Sequence, residues 1–192
     1  EAFLCYQNEE ILQAQKILKQ YENKSFTKKD LELAGVYLYL CRLTGLLGPK
    51  KEIVPKIRSF YNQKADSFLL LWILLQADEE YRLSPSKSLF MLEEQYERGC
   101  RNPLMYLEAW QLVEKDITLL RSLNGFWIQV FLFAGRRGLL TKELSMRLAY
   151  LSGYLKKFSG SLHMALTKAY EQFPEDDTLE AVCRHIMKGE PR

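Results

Sequence analysis

Five times along this chain an aromatic residue is followed at once by helix-breaking or helix-ending residues, after which a new amphipathic run begins. The places are Tyr21-Glu22-Asn23, Tyr61-Asn62-Gln63, Tyr96-Glu97-Arg98-Gly99, Phe133-Ala134-Gly135 and Tyr170-Glu171-Gln172-Phe173-Pro174, at intervals of 40, 35, 37 and 37 residues. Aromatic residues alone would mean little, because the chain holds 11 Tyr and 10 Phe. Their coincidence with breakers carries the period. A unit of that length is one helix hairpin, and a lone hairpin buries its apolar face only by stacking on neighbouring hairpins.

The fine pattern agrees with helices. Apolar residues recur at spacings of three and four, and no window alternates apolar and polar as a half-buried strand does. Side-chain caps precede several runs at Thr27, Ser84-Pro85, Asn102-Pro103 and Thr141, two of them with Pro at the first helical position. Gly45, Gly48, Gly99, Gly135, Gly138 and Gly189 stand where periodicity ends. These signals predict about ten helices, at residues 1–22, 28–46, 52–62, 66–82, 85–98, 103–115, 124–135, 141–157, 160–172 and 178–188. Pro55 falls in the first turn of the third, and Lys115 to Leu123 reads either as a helical extension or as a short extra turn. The expected fold is all-α, a right-handed α-solenoid of stacked antiparallel hairpins occupying residues 1–192 as one helical-repeat domain. The phase begins on the second helix of one pair and ends on the first of another, which points to a fragment of a longer chain.

Composition removes several classes of function. Lys and Arg number 27 against 24 for Asp and Glu, so a net charge of +3 does not by itself call for a nucleic acid or an acidic membrane. The longest apolar runs, Phe68 to Ala77 and Phe126 to Gly135, fall well short of the roughly 20 residues of a membrane span and read as buried helices. Cys5, Cys41, Cys100 and Cys183 stand singly, with no C-x-x-C pair, in a chain large enough to need no disulfide. A reducing compartment and a cytoplasmic location are expected, since the chain opens Glu1-Ala2-Phe3 without the basic and apolar segments of a signal peptide.

The period and hairpin architecture resemble tetratricopeptide repeats in a divergent form. In the best window Ala169 and Pro174 match that family, whereas Met146 replaces its Trp and Tyr150 its helix-packing Gly. The stretches "LLLWILLQ" (Leu69 to Gln76), "EQYERGCRNPLMYLEAWQL" (Glu94 to Leu112), "RGLLTKELSMRLAYL" (Arg137 to Leu151) and "AYEQFPEDDTLEAVCRHIMKG" (Ala169 to Gly189) more closely resemble an uncharacterised family of large, multi-domain clostridial proteins, a domain of unknown function. That resemblance implies a bacterial, Gram-positive source and a longer parent chain, and it brings no catalytic or binding residues with it.

The chemistry-bearing residues are few. Cys100 lies between Arg98 and Arg101, ahead of Asn102-Pro103, surroundings that can activate a thiol. The positions one and two periods later hold Arg137 and Pro174, so the repeat does not require it, and a partly buried thiol that alkylates slowly is expected at a joint between hairpins. Cys183 and His185 point to faces about 200° apart on a helix and cannot share a metal unaided. His163 beside Ser161 lacks the glycine-framed elbow of a serine nucleophile. In "AGRRGLLTKE", Ala134 to Glu143, Arg136 and Arg137 before a cap at Thr141 could hold a phosphate. A repeat joint whose arginines favour the preceding helix's C-terminus is the simpler explanation. With Arg98 and Arg101 they form the candidate anion-binding set. Tyr106 with Trp110, and Arg147 with Tyr150 and Tyr154, stand at helical spacing. Each stripe belongs either to the core or to a concave protein-binding face, where Tyr, Trp and Arg dominate affinity.

These readings converge on a non-enzymatic helical-repeat scaffold, or peptide- or protein-binding module, within a larger bacterial protein, with no cofactor and no metal. The alternative is a nucleic-acid or phospholigand binder that uses the basic joints.

Overall fold

The computed structural model describes residues 1–22, 26–46, 50–78, 81, 83–153, 155, 160–175 and 177–188, with backbone alone at 28, 50–52, 178, 182 and 185–188. The described residues contain eleven α-helices and no strand. They fall into two compact units, Glu1–Met91 and Leu92–Arg192. The first holds α1 (Ala2–Gln7), α2 (Ile11–Lys19), α3 (Leu31–Leu43), α4 (Lys50–Gln63) and α5 (Phe68–Ala77). The boundary lies within α6 (Pro85–Glu97), and the second unit continues with α7 (Pro103–Lys115), α8 (Gly125–Arg136), α9 (Lys142–Ser152), α10 (Gly160–Gln172) and α11 (Asp177–Lys188).

In the first unit α3 meets α5 along one stripe. The Ser67 hydroxyl donates to Glu32 at 2.5 Å, Leu70 lies over Gly35, Tyr39 meets Trp72 edge-on with centroids 5.9 Å apart, and Arg42 donates to the Ala77 carbonyl. Both numbers of each pair rise together, so the two helices run parallel, and α4 returns the chain between them. The two hydrogen-bonded pairs are each 35 residues apart, the spacing of one hairpin. Gly35 admits Leu70 because a Cβ there would lie 2.5 Å from the leucine Cδ2.

The second unit uses the same two relations. Tyr106 of α7 meets Phe133 of α8 and Trp110 meets Phe131, with centroids 6.1 and 6.4 Å apart. One number rises as the other falls, which makes α7 and α8 an antiparallel hairpin. Gly135 faces Lys168 and Gly138 faces Gln172, so α8 and α10 run parallel, and α9, which joins them along the chain, packs on α10 and α11. Packing on the next and the next-but-one helix within each unit is the arrangement of an α-solenoid. The most covered helices are the ones whose sequence is apolar nearly all round. In α5 Phe68, Leu70, Leu71, Ile73, Leu74, Leu75 and Ala77 are all buried, and α8 buries Phe126, Trp127, Val130, Phe131, Leu132, Ala134 and Gly135.

Local chemistry fixes the ends. Thr27 makes a capping box with Asp30, and Asn102, Thr141, Ser67 and Asn124 each accept from a backbone N–H of the helix that follows. Gly45, Gly99 and Gly138 adopt the left-handed conformation, with φ of 70°, 93° and 66°.

Four expectations are corrected. Residues 1–22 form two helices, because Glu9 takes a left-handed φ of 63° while the Glu10 N–H reaches back to the Cys5 carbonyl at 2.8 Å. Gly135 lies inside α8 and marks a close helix approach rather than a stop. Because α4 begins at Lys50, Pro55 sits in its interior and leaves one carbonyl of the preceding turn without its helical donor. The helix expected at 66–82 ends at Ala77, where Asp78 is extended and paired with Arg58 at 2.5 Å. Gly48 and Gly189 lie outside the described residues.

Candidate docking groove in the first unit

The α3 helix carries a second stripe beside the one that meets α5. Leu33, Val36, Tyr37 and Leu40 follow at spacings of three and four and turn toward α1 and α2. There Ala2, Leu18, Leu40 and Cys41 form a small buried core, with Ile17, Val36, Tyr37, Leu43 and Leu46 packed against it. Above it the three helices leave a groove of about 450 Å³, whose lining includes Phe3, Tyr21, Phe26, Leu33 and Tyr37. Phe3, Tyr21 and Leu33 are 43%, 39% and 46% exposed, so large apolar side chains stand at the rim. The Phe26 and Tyr37 rings lie 5.7 Å apart, tilted at 38°.

The floor is neutral. Burial, a hydrogen bond with Cys41 and the nearby Glu22 carboxylate push the Tyr37 phenol up to about 12. Burial also raises the Cys41 thiol, against a lowering by its bond with Tyr37, and Glu22 raises it further. Cys41 is fully buried and held protonated, so it is no nucleophile. Among the described residues that line the groove, Glu1 is the one that carries an ionisable carboxylate or a basic group. The arrangement is suited to receiving apolar and aromatic contact, with negative charge at its edge.

The sequence-selected residues lie elsewhere. Tyr106 and Trp110 are 8% and 2% exposed and pack on Phe126, Phe133 and Phe131, so that stripe belongs to the core of the second unit and not to an open face. Arg147 donates from Nε and one terminal nitrogen to the Leu120 carbonyl, at 3.1 and 2.9 Å, and its guanidinium carbon lies 5.6 Å from the Tyr150 ring centroid. Tyr150 is 56% exposed, and Tyr154 lies outside the described residues.

The arginines of the joints have local tasks. Arg98 pairs with Glu94 at 2.6 Å, one turn earlier. Arg101 lies over the Tyr96 ring at 3.8 Å and donates to the Tyr96 and Cys100 carbonyls at 2.7 Å each, which satisfies the end of α6. Arg137 covers the Phe133 ring at 4.4 Å, while Arg136 is an exposed residue of the last turn of α8. Cys100 is half-buried at the joint. His163 is exposed and Cys183 buried, while the side chain of His185 lies outside the described residues. A further cavity of about 520 Å³ lies beside Lys142 at the start of α9, against Gln172, Phe173, Pro174 and Glu175. Among the described residues no three His, Cys, Asp or Glu side chains gather as a metal ion requires, and no helix is long and apolar enough to cross a membrane.

Sequence reasoning missed the groove. Tyr21 registers there only as a helix-ending aromatic, and the available signal was that α3 has apolar residues on more than one side while remaining short. Comparisons with curated proteins and with solved structures gave no match. The model of a family described as a family of unknown function, DUF5717, N-terminal, matches residues 1–192, and the chain belongs to that family.

Proposed function

We propose that the chain is a non-enzymatic helical-repeat scaffold that docks a protein or peptide segment in the groove between α1, α2 and α3, as part of a larger bacterial protein in a reducing cytoplasm. The observation that carries this reading is the groove itself, where Phe3, Tyr21 and Leu33 stand exposed around a cavity of about 450 Å³. Covering an apolar side chain of this size is worth on the order of 1.5–3 kcal/mol, and association costs much of the total, so weak and exchanging docking is expected. The four free thiols agree with a reducing location, and the likeness to clostridial proteins supports the bacterial parent.

The test is photocrosslinking in host cells from the parent protein. A photoreactive residue at Leu33 should give a discrete adduct, and one at the equally exposed Leu104 of α7 should not. No adduct from Leu33, or the same adducts from both positions, would remove the reading.

A further inference from the structure

The groove differs from a plain apolar trough in what lines it. Rings of Phe3, Tyr21, Phe26 and Tyr37 contribute to one cavity, and Glu1 stands at its edge. Glu22 is close enough to act on both Tyr37 and Cys41 at the floor. Aromatic faces carry negative potential and attract ammonium and guanidinium groups, the more so where water is excluded. Carboxylates beside such rings act in the same direction. No Lys or Arg is among the described residues lining the cavity.

We propose that the groove selects a protein segment that presents a lysine or arginine next to an apolar residue, the cation lying among the rings near Glu1 and Glu22 and the apolar neighbour against Leu33. This inference rests on the reading of the groove as a docking site. The Tyr37 phenol stays neutral throughout the physiological range. The cation therefore meets a ring face and not a phenolate, with the Glu1 and Glu22 side chains as its counter-charge.

Three short blocked peptides sharing one apolar framework, with lysine, norleucine or glutamate at the central position, would be titrated calorimetrically onto the 192-residue chain. The lysine peptide should bind about three- to tenfold more tightly than the norleucine peptide, and the glutamate peptide most weakly. The lysine advantage should shrink with added salt and in Glu22→Gln, an exposed site whose substitution spares the core, and should be unchanged in Leu104→Ala. Equal binding of the lysine and norleucine peptides would overturn the cation selection and leave the docking reading in place. Failure of all three to bind would also overturn the selection, and the crosslinks from Leu33 would then decide the docking reading separately.

Discussion

Gly135 and Glu32 show how much single positions decide. A Cβ on Gly135 would lie 2.8 Å from the Cβ of Lys168, an atom fixed to the backbone of α10 that cannot swing aside. Gly135→Ala should therefore cost about 1–3 kcal/mol in urea denaturation. Gly160→Ala, where nothing lies within 4 Å, should leave stability unchanged or slightly raised. At Glu32 the Ser67 hydroxyl and then Lys64, at 3.2 Å, outweigh burial and hold the carboxyl below its ordinary value of 4.5. A depressed carboxyl stabilises the fold while it is ionised. Its contribution is complete above about 4.5 and is lost as the pH falls through the lower folded-state value. The melting temperature of Glu32→Gln should accordingly lie below that of the native chain at pH 7, and the gap should close on acidification. Little at this scale was legible beforehand. Tyr106 and Tyr37 are both tyrosines on amphipathic helices, and only the helices packed around each determine that one is core and the other lines a groove.

Elements were the most legible level, because their ends depend on residues a few positions away. Asn102 and Thr141 accept the N–H bonds that their place before an apolar run implies. Asn124, unremarked among the sequence signals, caps α8 through Trp127 at 3.1 Å. Asn124→Ala should cost about 1 kcal/mol, measurable as a lowered urea midpoint with an unchanged slope. The failures have physical causes. The break at Glu9 uses a left-handed residue that is not glycine, so no local signal announced it. Gly135 has the composition of a helix stop but serves helix contact, a role that depends on α10 more than thirty residues later.

At the scale of the whole molecule the period of 35 to 40 residues was readable because stacking repeats the same demand along the chain, and the parallel pairs α3 with α5 and α8 with α10 are its physical form. The groove was not readable, since a surface is left open only where neighbours fail to cover it. The arginines of the joints bear on a global property as well. Arg98, Arg101 and Arg137 hold a carboxylate, two carbonyls and a ring respectively, and the net charge is small. A labelled single-stranded oligonucleotide should therefore show no shift in a mobility assay at low salt. A salt-sensitive shift lost in Arg136→Ala, Arg137→Ala would instead favour the basic joints as a binding edge.

The two stripes of α3 have a consequence at a distance. One faces the groove through Leu33, Val36 and Tyr37, and the other grips α5 through Glu32, Gly35, Tyr39 and Arg42. Anything that stiffens the first stripe restrains the second, so local opening of α5 becomes rarer when the groove is filled. Deuterium uptake at the amides of Phe68–Ala77 should then slow on binding, in a helix that no occupant touches.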